Sequence, residues 1–458
     1  MTSTVRRAGA FAGIATLSLA APAFRRVATE FTTPSLEWGG PVAFGVVAAL
    51  AFVADEDTVG FEVFARPGDR EDGRLYGLLG FSLSATGLGL LTVYAPFPTE
   101  TFVGTVLLLG YGNLAAQYAK DRGYEPVAWS VAFAIVGAVA AFVGQTLAAA
   151  ILGTAGGTVA DAMTAQVPTF VFLATSGALL GALLRAVLFE RDDPLVMLSV
   201  GLLLWLLVEL VVDVGVTEIA IALGVTIALG YVSYALETAS IPGMVTGVLL
   251  ALLTIVLGGY GWFVILVAFF GIGGLASKFR YDRKKRRGIA EDNEGARGSG
   301  NVLGNSTVAL VAVLAHAASE TGLFGMEAAL SPLFTAAFAG SIATAMADTL
   351  SSEIGGLYDR PRLITSLEVV EPGTDGGVTW QGELAGTAGA ILVAVTAVAL
   401  TSTTPPIGVV VVIAGFAGMT MDSLLGATLE GRYLGNQGVN FLATLTGGVV
   451  ALGLTVLL

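Results

Sequence analysis

The sequence predicts an all-α fold, a polytopic transmembrane helical bundle of about 13–15 helices. Of the 458 residues, 55% are hydrophobic and only 12% are charged, whereas soluble domains carry about 25% charged residues. The mean hydropathy is +0.81. Apolar stretches of about 16–25 residues recur along the chain, separated by short polar loops. These observations exclude a water-soluble protein.

The apolar stretches are close to the length of about 20 residues that a helix needs to cross a bilayer. They divide into an N-terminal membrane domain (1–235) of about eight helices and a C-terminal membrane domain (236–458) of about seven. The predicted spans are residues 8–24, 39–54, 75–95, 101–118, 127–152, 167–184, 195–212, 216–235, 242–258, 260–276, 302–318, 331–347, 384–400, 406–421 and 439–458.

The basic residues predict the orientation of these spans, because Lys and Arg stay preferentially on the cytoplasmic side. If the N-terminus is cytoplasmic and the spans alternate, all but two of the 22 Lys and Arg residues fall on that side. The exceptions are Arg25 and Arg26. We therefore expect a multi-pass protein of the cell membrane whose C-terminus lies outside. The dense basic run from Lys278 to Arg287 is typical of a cytoplasmic loop that touches anionic lipid.

Composition also limits the chemistry. The chain has no cysteine, which excludes disulfides, thiolate metal sites and cysteine catalysis. Its single histidine, His316, lies in an apolar helix, which favours a packed side chain over a catalytic one. The net charge of −13 and the preference for Arg over Lys are typical of a protein from a high-salt cytoplasm.

Polar residues of the C-terminal domain gather at the predicted cytoplasmic ends of its spans. Asp348, Glu353 and Asp422 are candidate catalytic carboxylates and Mg²⁺ ligands, since hard cations prefer carboxylate oxygens and keep substrate phosphates in their shell. Arg360 and Arg362 can hold phosphoryl oxygens bidentately. The other candidate substrate-binding residues are Lys278, Asn305, Gly373, Thr374, Gly376, Gly377, Asn436 and Asn440.

These groups suit phosphoryl transfer, in which catalysis is mostly positioning and charge neutralisation. The glycine-rich turn PGTDGG can present backbone N–H groups to a phosphate. Each cluster also has a structural explanation, because acids at helix ends often only solvate the interface. The convergence of all the clusters on one membrane face favours a site.

The motifs that carry these residues resemble those of an integral membrane family once called domain of unknown function 92. That family includes the transmembrane protein 19 group and the plant phytyl-phosphate kinases. The resemblance covers residues from about 236 to the C-terminus, with the motifs in the family's order. They are GWFVILVAFFGIGGLASK (261–278), GNVLGN (300–305), ADTLSSEIG (347–355), PRLIT (361–365), VEPGTDGGVTWQGELAG (370–386), DSLLGATLEG (422–431) and NQGVNFLAT (436–444).

This resemblance implies a kinase that uses CTP or another nucleoside triphosphate to phosphorylate an isoprenyl monophosphate, such as phytyl or geranylgeranyl phosphate, to the diphosphate. Asp348 and Asp422 would hold Mg²⁺ with help from Glu353. Arg360 and Arg362 would bind phosphates beside the glycine-rich turn. The expected partners are a prenyl-phosphate lipid, a nucleotide and the bilayer, with no nucleic acid, and the oligomeric state stays open.

The N-terminal domain faintly resembles the polyprenol kinases, the dolichol and phytol kinase group, at GYGNLAAQYAKDRG (110–123) and RDDPLVMLSVGLLLWLL (191–207). Two positions depart from that pattern. Tyr111 stands where an Asp is usual, and no Asn follows the pair Asp192-Asp193. The resemblance therefore implies a domain that has lost its own catalysis and serves as a scaffold or lipid channel.

Two other functions fit a protein of this kind. A secondary transporter of a small anionic or lipid substrate also has many helices with glycine-rich breaks and acids within spans, such as Glu209. Transporters place the charged site near the midplane of the membrane, often between repeated halves. A non-catalytic membrane protein is the second alternative. The position of the polar clusters at one face favours the enzyme.

Overall fold

The computed structural model describes residues 3–153, 159–188, 192–210, 215–236, 239–288 and 298–458. It is 82% helical, which confirms the predicted all-α membrane fold. Thirteen helical segments of the described residues are long and apolar enough to cross a membrane, with Ser3–Glu30 and Pro34–Val53 each counted as one continuous segment. The remaining two predicted spans correspond to a more polar helix, Thr99–Asp121, and to a shorter apolar helix, Ile241–Leu257.

Contacts divide the chain into two compact units, Met1–Ala220 and Ile221–Leu458. The boundary falls within a helix that spans Val216–Ala235. The helices up to and including that one are α1 (Ser3–Ala15), α2 (Ala20–Glu30), α3 (Gly39–Val53), α4 (Phe61–Phe64), α5 (Pro67–Asp72), α6 (Tyr76–Tyr94), α7 (Thr99–Asp121), α8 (Pro126–Leu152), α9 (Val159–Val187), α10 (Asp193–Leu210) and α11 (Val216–Ala235).

The second unit continues with helices that alternate in direction. Two short strands interrupt them between the sixteenth and seventeenth helices. The elements are α12 (Ile241–Leu257), α13 (Tyr260–Lys278), α14 (Tyr281–Arg286), α15 (Ser299–Thr321), α16 (Ser331–Gly355), β1 (Arg362–Leu363), β2 (Gly377–Val378), α17 (Trp380–Leu400), α18 (Pro405–Thr428) and α19 (Asn436–Val456).

Helix α16 is the centre of the second unit, because it packs against α15, α17, α18 and α19. Small residues allow this close packing, as is common between membrane helices. A Cβ on Gly418 or Gly447 would lie within 2.2 Å of the Thr344 side chain. The Thr344 hydroxyl donates hydrogen bonds to the carbonyls of Gly340 at 3.0 Å and Ala414 at 3.3 Å. Helix α16 is therefore held firmly between its neighbours.

In the first unit, α7 takes the central place and packs against α1, α8, α9 and α10. Its first half, from Thr101 to Gly110, is buried throughout. A Cβ on Gly110 would lie 2.6 Å from the Cβ of Ala15, so glycine permits the close approach of α1. The polar half of α7, which carries Asn113 and Gln117, begins where this tight packing ends.

Candidate functional site

Two carboxylates from neighbouring helices of the second unit meet near one end of the bundle. Asp348 lies in the C-terminal part of α16, and Asp422 lies in the C-terminal part of α18. Their carboxyl groups are close neighbours, near enough for each to act electrostatically on the other. One oxygen of the Asp422 carboxyl, Oδ1, is buried and has no hydrogen-bond partner within the described part of the chain. Two ionised carboxylates this close repel each other, so a proton or a cation is needed between them.

The glycine-rich turn packs against the segment of α18 that carries Asp422. Gly376 has a φ of +74° and approaches α18 so closely that a Cβ would lie 2.4 Å from the Cβ of Ala427. The same Cβ would lie 2.5 Å from the carbonyl oxygen of Ser423, the residue after Asp422. The turn therefore lies beside the α18 segment that carries Asp422.

We expect Gly376→Ala to displace the turn from α18, since alanine adds both this clash and the cost of a left-handed conformation, about 1–2 kcal/mol. The protein should lose thermal stability, and more than the matched variant Gly322→Ala. Gly322 has a φ of +71°, but its nearest neighbouring atom would lie 3.9 Å from an added Cβ. Thermal unfolding in detergent measures both variants. An equal fall in unfolding temperature for the two variants would show that the contact between the turn and α18 does not contribute to stability.

The short sheet brings Arg362 to the same turn. β1 pairs antiparallel with β2, with Arg362 opposite Val378 and Leu363 opposite Gly377. The N–H of Ile364 donates to the carbonyl of Gly376 at 3.0 Å. The Arg362 guanidinium is exposed and donates to the carbonyl of Leu367 at 2.6 Å. Arg362 and the turn therefore form one connected structure.

The other candidate residues of this loop lie at its surface. Arg360 is exposed and has a φ of +62°. Gly373 and Thr374 are also exposed, and the Thr374 hydroxyl donates to the carbonyl of Glu371 at 2.8 Å. Lys278 is not part of this loop: it is the last residue of α13, and its Nζ donates to the carbonyl of Leu236 at 2.9 Å. The structure thus leaves Arg360 and the glycine-rich turn open to an incoming group.

Glu353 does not join the acidic pair. It lies five residues after Asp348, about 140° around the helix. Its carboxylate accepts a hydrogen bond from Nζ of Lys284 at 2.5 Å, and both side chains are buried. The same Nζ donates to the carbonyls of Ala276 and Ser277. The sequence predicts that the run from Lys278 to Arg287 is a cytoplasmic loop touching anionic lipid, whereas the structure buries Lys284 among protein groups.

Arg287, at the end of the basic run, also binds the segment that follows α16. It donates to the carbonyls of Gly356 at 3.2 Å and Tyr358 at 3.3 Å, and it pairs with the Asp359 carboxylate at 2.5 Å. Together, Lys284 and Arg287 hold the segment after α13 against the end of α16. Glu353 therefore binds Lys284 and helps to hold these segments together, and it is not a member of the acidic pair.

The asparagine motifs meet at the same end of the second unit. Asn305, near the start of α15, and Asn440, near the start of α19, are both buried. The two helices touch at Gly304, where a Cβ would lie 2.8 Å from the carbonyl oxygen of Gln437. Asn305 donates to the carbonyl of Asn301 at 3.0 Å, and Asn436 is exposed. The first turns of α15 and α19 therefore lie against each other.

Two acids that the sequence reasoning did not single out lie at this site. Burial raises the pKa of the Glu430 carboxyl, and the charges of Asp375 and Asp348 raise it further. Both residues belong to motifs that were recognised, since Asp375 is the acid of PGTDGG and Glu430 closes DSLLGATLEG. The acidic character of these motifs was the signal that could have identified them.

The carboxylate oxygens of Asp348 and Asp422 are suitable ligands for a hard cation such as Mg²⁺. No group of three or more His, Cys, Asp or Glu residues has the spacing of a complete metal site in the described ranges. Mg²⁺ in proteins commonly uses one or two carboxylates and completes its shell with water and substrate phosphates. Asp348 and Asp422 provide such a pair, and the buried Oδ1 of Asp422 lacks a hydrogen bond within the described structure.

Comparisons with known proteins identify relatives of the second unit. The sequence profile of a family described as integral membrane protein DUF92 matches residues 224–448. Uncharacterized membrane protein MJ0933 of Methanocaldococcus jannaschii is 38% identical over 197 residues, which cover 42% of this chain and 75% of that protein. Uncharacterized membrane protein sll0875 of Synechocystis is 32% identical over 205 residues, or 44% of this chain and 77% of that protein.

A plant protein has the same percentage identity to this chain as the Synechocystis protein. Protein VTE6, chloroplastic, of Arabidopsis thaliana is 32% identical over 218 residues, which are 46% of this chain and 64% of the plant protein. The match therefore spans a little under two thirds of that relative. No solved structure matches the chain.

Proposed function

Because the chain belongs to the integral membrane DUF92 family, we propose that it is a membrane-embedded kinase. It transfers a phosphoryl group from CTP or another nucleoside triphosphate to an isoprenyl monophosphate and releases the diphosphate. The observation that carries this proposal is the proximity of Asp348 and Asp422 beside the glycine-rich turn. The resemblance of these motifs to the plant phytyl-phosphate kinases supports the choice of acceptor.

The charges around the site suit two phosphate groups. The exposed guanidinium groups of Arg360 and Arg362 attract the phosphates of the donor and acceptor, which Arg can bind bidentately. Within the turn, the N–H groups of Thr374 and Gly377 donate to the carbonyls of Glu371 and Thr374, and the N–H groups of Gly373, Asp375 and Gly376 would be offered to a phosphate. Asp348 and Asp422 would hold Mg²⁺, which when bound supplies neutralisation of the charge on the phosphoryl groups. The protein's contribution is therefore positioning and electrostatics.

The acceptor chemistry also suits the residues present. A phosphate monoester is already an anion, so its oxygen attacks the γ-phosphorus without a strong general base. The bond from the γ-phosphorus to its bridging oxygen breaks, and the nucleoside diphosphate leaves with that electron pair. No histidine is required, which agrees with a chain whose single His316 lies near the C-terminal end of α15, away from the asparagine motif at its start. The prenyl tail stays among the membrane helices.

The same proposal indicates which side of the membrane the site faces. The acidic pair, the turn and the asparagine motifs belong to the C-terminal ends of α16 and α18 and the N-terminal ends of α15, α17 and α19. Because the nucleotide is cytoplasmic, this end of the unit faces the cytoplasm, as the basic residues predict. A site at one end of the helices, rather than at their midpoints, favours an enzyme over a transporter.

An activity assay tests the proposal. Purified protein in detergent receives Mg²⁺, CTP and either phytyl phosphate or phytol, and mass spectrometry measures the products. We expect phytyl diphosphate from phytyl phosphate and no product from phytol. Product from phytol alone would assign a different kinase reaction. No product from phytyl or geranylgeranyl phosphate with any nucleoside triphosphate, together with phosphate-lipid flux into proteoliposomes, would favour the transporter.

A further inference from the structure

A pocket borders the end of α16 on a different side of the helix from the acidic pair. Its lining comes from α14 and the residues just before it, and from the end of α16 and the residues just after it. The lining residues are Phe279, Arg280, Arg283, Ile354, Leu357, Tyr358 and Asp359. Ile354 lies six residues after Asp348, about 240° around α16. The pocket is therefore distinct from the site described above.

Two arginines of this lining are available to an anion. Arg280 is exposed and Arg283 is half-buried, and neither guanidinium donates a hydrogen bond or pairs with a carboxylate within the described ranges. The acid of the lining, Asp359, already pairs with Arg287 at 2.5 Å. Asp282, which lies between the two arginines in the sequence, is exposed and forms no ion pair with either of them in the described structure. The positive charge of the pocket is therefore not neutralised by these acids.

The size and the donors of the pocket match a phosphate group. Its volume is about 190 Å³, compared with roughly 30 Å³ for one water molecule in the liquid. It admits a phosphate group together with a few water molecules or a small attached group, and it is too small to enclose a nucleoside triphosphate. A guanidinium binds two phosphate oxygens through paired N–H groups. The Arg280 guanidinium lies over the Phe279 ring, 5.4 Å from its centroid, and this contact with the ring face does not consume those N–H groups.

An exposed apolar surface leads to the pocket. Leu275 on α13 is 73% exposed, and Phe279, four residues further, is 49% exposed, so the two side chains lie on one side of the helix end. Helix α13 is long and apolar enough to cross a membrane, where an exposed apolar face lies against lipid tails. Phe279 belongs both to this face and to the lining of the pocket. A lipid whose tail follows α13 would therefore bring its headgroup to Arg280 and Arg283.

We propose that this pocket binds a phosphate group, and that the apolar face beside it makes an anionic membrane lipid the source of that group. Arg280 and Arg283 bind the phosphate oxygens, while the lipid tail lies along Leu275 and Phe279. The bound headgroup connects α14 to the end of α16, because the lining comes from both. This site is independent of the proposed kinase activity, so its occupancy is measured without turnover.

Native mass spectrometry of the full-length protein in detergent tests the proposal, with phosphatidic acid and diacylglycerol as the two probes. We expect phosphatidic acid to bind more tightly than diacylglycerol, which has the same tails and no phosphate. Arg280→Gln and Arg283→Gln should each weaken the binding of phosphatidic acid by about ten-fold, because each removes one bidentate donor. Lys285→Gln is the matched control, since Lys285 is an exposed residue of the same helix and does not line the pocket. It should bind phosphatidic acid as the wild type does.

Competition with glycerol phosphate, which carries the phosphate without the tails, distinguishes a lipid from a soluble source. Failure of glycerol phosphate to displace phosphatidic acid supports the lipid, whereas displacement at a concentration close to that of the lipid would overturn the lipid as the source. Equal affinity of the wild type and both arginine variants for phosphatidic acid would overturn the site itself. The same loss in Lys285→Gln as in Arg283→Gln would also overturn it, because the charge of the whole basic run, and not this pocket, would then hold the lipid.

Discussion

Replacing Asp348 or Asp422 with asparagine is expected to reduce phosphoryl transfer by roughly 10³-fold. Each substitution removes one of the two carboxylates that would bind the metal and leaves the shape of the site almost unchanged. Because the two side chains are close neighbours, the double variant should lose little more than either single variant. The assay measures initial rates of prenyl diphosphate formation at saturating CTP.

These variants should remain folded, and this separates a role in the reaction from a role in stability. Asparagine relieves the repulsion between two carboxylates, so metal-free Asp422→Asn should unfold at the wild-type temperature or above it. Mg²⁺ should raise the unfolding temperature of the wild type and not that of the variant. Glu327→Gln, an exposed acid before α16, is the matched control. Full activity in both Asp variants would contradict the assignment of the site.

Replacing Lys284 with methionine is expected to destabilise the second unit by about 3–5 kcal/mol. The Lys284 ammonium is 2% exposed and has three acceptors, the carbonyls of Ala276 and Ser277 and the Glu353 carboxylate. Methionine leaves the Glu353 charge buried without this partner. The unfolding temperature in detergent should fall on the order of 10 °C.

The double variant Lys284→Met with Glu353→Leu should recover most of this loss, because a buried ion pair can be replaced by apolar groups at little cost. Lys285→Met is the matched control, since Lys285 is the exposed neighbour in the same helix. If Lys284→Met and Lys285→Met unfolded at the same temperature, the buried pair would contribute nothing to stability.

The membrane fold could be predicted from the sequence because hydropathy is a direct measure of what a bilayer requires. Every backbone polar group in hydrocarbon must be bonded within the protein, so an apolar stretch of sufficient length becomes a helix. Fifteen predicted spans therefore coincide with helices, including the polar α7. The exact ends of the helices were less predictable. For example, α16 extends to Gly355 and includes Asp348, which the predicted span ended just before.

The candidate site could be predicted only in part. The order of the motifs, together with alternating spans, brings Asp348, Asp422 and the glycine-rich turn to one end of the bundle. Glu353 is kept apart from the acidic pair by the direction of its side chain around α16 and by its partner Lys284 on α14. Neither can be read from the sequence. Lys284 is 69 residues from Glu353 in the chain, and nothing in a run of seven basic residues distinguishes the one that is buried.

Binding of Mn²⁺ in place of Mg²⁺ tests the central claim most directly, because electron paramagnetic resonance counts bound Mn²⁺ and ³¹P relaxation reports its distance from phosphate. The wild type should bind Mn²⁺ more tightly when CTP is present, and the ion should broaden the ³¹P signal of an added prenyl phosphate. Asp348→Asn and Asp422→Asn should lose both effects. Unchanged Mn²⁺ affinity and unchanged ³¹P broadening in these variants would show that the metal and the phosphates meet elsewhere.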